Sequence, residues 1–153
     1  MIIQSERVWI AGQFLPAQIL IENGKIAAVL KRGSRNADRD YGSHAVLPGF
    51  IDVHTHGAYG YDTNDGDPAG LRDWMARIPE EGVTSILPTT VTQMPDVLTR
   101  AVASVAQVIR EGYKGAEILG IHFEGPFLDM EYKGAQPPEA IAPPSTEQFD
   151  RYQ

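Results

Sequence analysis

Residues 67–90 read DPAGLRDWMARIPEEGVTSILPTT, and their apolar spacing changes half-way along. Leu71, Trp74, Met75 and Ile78 recur at i, i+3, i+4 and i+7, which is one face of an α-helix. Asp67 is suited to cap that helix, Pro68 to fill its first position, and Gly82 to close it. From Val83 to Thr90 the run is short, apolar and β-branched, which predicts a buried strand. A helix leading directly into a buried strand is half of a βαβ unit.

Both flanks continue the alternation. AVLPGFIDVH, from Ala45, reads as a mostly apolar strand before the helix. After Thr90, Pro95 opens a second helix with Leu98, Ala101, Val102, Val105 and Ile109 on one side and Gly112 past its end. AEILGIHFEGP (116–126) predicts a third buried strand, and Ser145 or Thr146 caps a further helix that is still unfinished at Gln153. Strand, helix, strand, helix, strand, helix predicts an α/β fold with a parallel sheet and right-handed crossovers. Residues 1–44 differ. In QILIENGKIAAVL two apolar runs flank Asn23-Gly24, a tight hairpin turn, and KRGSRNADRDYGSH reads as a loop. The expected division is therefore a β segment over 1–44 and βα units over 45–153.

Composition narrows the function classes. The chain has 153 residues, 42% of them apolar and 22% charged, enough to build an ordinary globular core. Its net charge of −7 argues against nucleic acid or an anionic membrane as the main partner. Cysteine is absent, so disulfides and thiolate metal sites are excluded, which fits a cytoplasmic protein. Neither a signal peptide nor an apolar run of the roughly 20 residues needed to span a bilayer is visible. A small-molecule substrate is the expectation.

Two positions could carry chemistry. His54 and His56 alternate with Thr55 at the end of an apolar run, so on a strand both imidazoles face one side and could share an ion. Two solvent-facing loop histidines are the alternative. Glu124 ends the third strand against Gly125-Pro126 and points at the same rim; an exposed strand-end glutamate is its alternative. His122, one layer deeper, reads as a hydrogen-bonded core histidine, and Asp62, Asp65 and Asp67 as loop and cap residues. The glycines of GAYGY (57–61) are small enough for backbone to approach such a site closely.

PGFIDVHTHG, GVTSILPTT, GIHFEGPF and KGAQPPEAI, in this order, resemble the amidohydrolase superfamily, and within it the N-acetylglucosamine-6-phosphate deacetylase family. That resemblance implies a metal-dependent (β/α)8 TIM-barrel hydrolase, with residues 1–44 in a small β-sandwich and 45–153 as the first βα units of the barrel. It implies a divalent metal, zinc or iron, one or two ions, that activates water to release acetate from N-acetylglucosamine 6-phosphate. His54, His56 and Glu124 are the implied metal ligands. Ala135 and Gln136 are the implied substrate contacts, although the family often places histidine where Gln136 stands, and an amide carries no proton. The implied catalytic aspartate is not found here and is expected beyond residue 153, so residues 1–153 alone are expected to be inactive. A parent homo-oligomer is implied. The galactosamine epimer or another amidohydrolase substrate is the enzyme alternative, and a metal- or partner-binding module without catalysis is the other.

Overall fold

The computed structural model describes residues 1–153, and the chain divides into two compact units, Met1–Pro48 and Gly49–Gln153. The first unit is one five-stranded sheet. Its strands are β1 (Ile2–Ile10), β2 (Gln13–Glu22), β3 (Lys25–Lys31), β4 (Arg39–Asp40) and β5 (Ala45–Val46). β1 to β3 are antiparallel neighbours, while β4 and β5 both pair parallel with β1. Asn23 and Gly24, both at positive φ, form the expected hairpin turn between β2 and β3. Val8, Ala17 and Ile19 are the buried apolar side chains of this sheet.

Two expectations shift here. The division falls after Pro48 and not after His44, because Ala45 and Val46 pair with Arg7 and Val8 in the first sheet. The polar stretch 31–44, read as loop, contributes β4, whose Asp40 accepts hydrogen bonds from Gly42 N–H and the Gln4 amide and so holds its carboxyl below the usual range.

A second tight turn, Ala11-Gly12, joins β1 to β2, and it places Ala11 at φ 48°. An L-residue with a Cβ is disfavoured there by about 1–2 kcal/mol, and asparagine tolerates the region better. Ala11→Asn is expected to raise the urea midpoint of this sheet by about 1 kcal/mol of stability, read from Trp9 fluorescence; a lower midpoint would refute it.

The second unit is a parallel sheet with helices between its strands. Its order is β6 (Phe50–Thr55), β7 (Val83–Thr90) and then two short segments on the far side of β7, β8 (Glu117–Ile118) and β9 (His122–Phe123). The expected single strand over 116–126 is thus interrupted between Ile118 and His122. β6 is an edge strand bonded only to β7, and Phe50, Ile51 and Val53 on it are exposed. No helix is long and apolar enough to cross a membrane.

Helix α1 (Pro68–Arg77) begins as expected, Asp67 accepting from Ala69 and Gly70 N–H with Pro68 at N1, and a 3-10 turn over Ile78–Glu81 carries it to Gly82 in the left-handed region. Leu71, Trp74 and Met75 are fully buried and meet Ile78, Ile86, Val105, Val108 and Ile118 in one core. Tyr61 packs on Trp74 with ring centroids 5.8 Å apart, and burial, aided by Asp65, Asp67 and Asp62, pushes its phenol far up and keeps it neutral. In α2 (Pro95–Glu111) the buried stripe is Leu98, Ala101, Ser104, Val105 and Val108. Ile109, expected on that stripe, is exposed, and with Val102 it lines a groove of about 300 Å³ beside Ile121, Phe123, Phe149 and Tyr152. The stripe drifts round the helix, so Val108 takes the core position. The last helix, α3 (Thr146–Asp150), is capped by Ser145, which accepts from Gln148 N–H.

Candidate metal centre

His54 lies on β6, His56 one residue past its end, and Glu124 one residue past β9. β6 and β9 flank the C-terminal end of β7, so the three side chains project from one edge of the parallel sheet. His54 Nε2 is 3.2 Å and His56 Nε2 3.1 Å from the same atom, Glu124 Oε2. The expected common face holds although β6 is irregular between Asp52 and Thr55, and the two imidazole centroids are 5.1 Å apart.

Hydrogen bonds fix how these groups present themselves. His56 Nδ1 is 3.2 Å from the Thr89 carbonyl, which can only accept, so Nδ1 carries a proton and Nε2 is the ring nitrogen left facing Glu124. One nitrogen donor from each ring and one carboxylate oxygen lie within 4.8 Å of one another. Two imidazoles with one carboxylate, their ligand atoms this close, are a donor set that zinc or another divalent transition metal accepts. The residues present therefore fit a metal ion.

Asp52, which continues the strand face of the two histidines, is not part of the cluster. It accepts from His54 N–H at 3.0 Å and from the Thr55 hydroxyl, local bonds that turn it along the strand. His122 donates Nδ1–H to the Val53 carbonyl at 2.8 Å and sets its ring edge-on to His54, half-buried where full burial was expected. Asp62 caps a short 3-10 turn in a reciprocal pairing with Asp65, and Asp67 caps α1, as their spacing implied.

The framework behind the cluster was hidden in the sequence. Both backbone groups of Val91, just past β7, pair with the Asn64 amide: Val91 N–H donates to Oδ1 at 3.1 Å, and Nδ2 donates to the carbonyl at 2.9 Å. Thr92 N–H donates to Gln136 Oε1 at 2.8 Å, and the Thr92 hydroxyl donates to the Glu124 carbonyl at 3.3 Å. Gln136 Nε2 in turn donates to Glu124 Oε1 at 2.8 Å. The loops after β6, β7 and β9 are thus tied through Val91-Thr92. Gln136 is 8% exposed, whereas Ala135 beside it is exposed.

Two glycines permit the close packing. A Cβ on Gly57 would fall on the Tyr61 carbonyl, so this glycine lets the GAYGY segment pack on itself. A Cβ on Gly125, at φ 83°, would fall on the Thr92 hydroxyl. The signal that could have exposed this framework is the threonines at and just past the end of β7, Thr89, Thr90 and Thr92, where a strand bound only for the core would stay apolar.

Comparison with known proteins places the chain in a family. Residues 45–152 match the sequence profile of the amidohydrolase family. An N-acetylglucosamine-6-phosphate deacetylase of Bacillus subtilis is 39% identical over 140 residues, which is 87% of this chain and 35% of that protein. An N-acetylgalactosamine-6-phosphate deacetylase of Escherichia coli O157:H7 is 38% identical over 122 residues, covering 80% of this chain and 32% of that one. The crystal structure of N-acetyl-D-glucosamine-6-phosphate deacetylase from Mycobacterium smegmatis superposes with a TM-score of 0.87 at 28% identity, over 99% of this chain and 43% of that one. The chain spans about a third of the length of the curated relatives it matches.

Proposed function

This chain belongs to the amidohydrolase family, and on that footing we propose that it supplies the metal-ligating part of an N-acetylglucosamine-6-phosphate deacetylase, which cleaves the acetamido bond to give glucosamine 6-phosphate and acetate. The observation that supports this most is the meeting of His54, His56 and Glu124 on one carboxylate oxygen at the strand ends. These three residues would hold the ion, zinc or iron, one or two. When bound, such an ion polarises the acetamido carbonyl and lowers the pKa of water.

The chain's own residues do the rest of what it contributes. Glu124 keeps Oε2 toward the histidines because Oε1 is occupied by Gln136. Ala135 and Gln136 are the proposed contacts for the acetamido group. Gln136 Nε2 spends one N–H on Glu124 and has a second to offer a carbonyl oxygen. An amide does not shuttle protons, and neither Asp129, in the loop after β9, nor Asp150, in α3, stands at a strand end. The likeness to the deacetylase family supports assigning proton transfer to the leaving amine to an aspartate outside residues 1–153. The setting is the cytoplasm, and the parent assembles as a homo-oligomer.

The test supplies residues 1–153 with Zn²⁺ or Fe²⁺ and N-acetylglucosamine 6-phosphate, and measures metal binding and acetate release separately. Metal is expected to bind while acetate stays at background. Turnover above background would refute the inactivity of this chain, and a failure to bind metal would refute the metal-site assignment. The likeness to the E. coli galactosamine-phosphate deacetylase favours the epimer as a second reading, so both epimers belong in the assay of a chain of the relatives' length.

A further inference from the structure

Gln136 has a task that the substrate-contact role does not cover. Its carboxamide is wedged between two groups of opposite hydrogen-bonding character, the Thr92 N–H at 2.8 Å and Glu124 Oε1 at 2.8 Å. A backbone N–H can only donate and a carboxylate can only accept, so the amide has one possible orientation, oxygen to Thr92 and nitrogen to Glu124. Its backbone is held as well. Gln136 N–H donates to the Lys133 carbonyl at 3.2 Å, and the Lys133 ammonium donates to the Gln136 carbonyl at 3.1 Å.

We propose that Gln136 is a positioning residue for the metal centre: by fixing Glu124 Oε1 it holds Oε2 alone on the two imidazoles and makes Glu124 a one-oxygen ligand. This rests on the metal-centre reading above. A half-exposed glutamate has several side-chain rotamers, and the three-atom cluster exists only in the one whose Oε2 sits 3.2 and 3.1 Å from the histidines. One donor to Oε1 from a buried, doubly anchored amide removes that freedom. It also leaves Oε1 unable to swing onto the ion, since doing so would break the hydrogen bond it accepts from Gln136. The same amide connects the site to the loop after β7 through Thr92, so Glu124 is referenced to the end of β7 as well as to its own strand.

Co²⁺ is the probe, since its visible absorption reports how many atoms bind it and in what geometry. Residues 1–153 and Gln136→Met, which has similar length without the amide, are titrated with Co²⁺ and then compared at saturation. Gln136→Met is expected to lose about 10–100-fold in affinity, the usual cost of an outer-shell partner. Its saturated spectrum is expected to shift in energy and intensity as Oε1 joins Oε2 on the ion. A role in loop anchoring alone would lower the melting temperature and leave the saturated spectrum unchanged, and that result overturns the proposal. Where Gln136→Met does not fold, Gln136→Glu serves, because it can still accept from Thr92 N–H but presents no donor to Glu124. An unchanged spectrum in that variant is equally fatal. If the parent sequence itself fails to bind Co²⁺, the metal-centre reading fails and this inference with it, whereas normal binding with an unchanged variant spectrum removes the inference alone.

Discussion

Trp74→Ala is expected to destabilise the second unit by about 3–5 kcal/mol, the range for removing a large buried aromatic side chain. Trp74 is fully buried where α1 faces α2 and β7, and it touches the Tyr61 ring, so neighbouring side chains would have to collapse from several elements to fill the gap. A loss of that size is a large part of the roughly 5–15 kcal/mol that holds an ordinary domain together, and it lowers Tm by on the order of 10–20 °C. Circular dichroism of the helices reads it. Trp74→Phe makes the complementary case, since the indole Nε1 is buried without a hydrogen-bond partner. Phenylalanine keeps most of the ring and removes that unsatisfied donor, so its cost is expected to stay below about 1.5 kcal/mol. An alanine variant within 1 kcal/mol of the parent, or a phenylalanine variant as damaged as alanine, would show that this core is not organised around the Trp74 ring.

The reason Trp74 was legible from sequence is that its helix obeys a local rule. Leu71, Trp74, Met75 and Ile78 share a face at 3.6-residue spacing whatever they pack against, and all four are buried. The Asp67-Pro68 cap and the Asn23-Gly24 turn are local in the same sense. His54 and His56 were legible because a strand alternates, and Glu124 because the chain turns sharply at Gly125. Features set by distant partners were not legible. Ala45 and Val46 read as part of the next strand, but their partner β1 lies about 40 residues earlier, and it captures them for the first sheet. Val108 displaced Ile109 because the choice between adjacent helix positions is made by the neighbouring elements. The Asn64–Val91 and Gln136–Thr92 pairings span 27 and 44 residues. No spacing rule connects an amide to a backbone group at such separations, so the framework of the site appeared only in three dimensions.

Glu124→Ala is expected to cost more than about a hundredfold in zinc affinity, beyond the upper end of what outer-shell partners contribute. The asymmetry of the cluster supports this figure. The Nε2 atoms of both histidines pair with Glu124 Oε2, so Glu124 is the residue that joins the two imidazoles in one donor set. It also brings the only negative charge among the three. The consequence is measurable as stability. Zinc at 100 times the parent's dissociation constant stabilises the folded chain by about 2.7 kcal/mol, and a hundredfold weaker site reduces this to about 0.4 kcal/mol. Without zinc the two proteins are expected to melt within about 1 kcal/mol of each other, because Glu124 is partly exposed and contributes little to the core. Glu124→Gln sharpens the test. It preserves the shape and can still accept from Gln136, but it turns a donor N–H or a neutral oxygen toward the imidazoles in place of a charged one. Zinc-dependent stabilisation that survives at the parent's full size in either variant would mean that Glu124 does not hold the ion. If both variants keep no more than about 0.4 kcal/mol at that zinc concentration, the ion is held by the His54, His56 and Glu124 cluster.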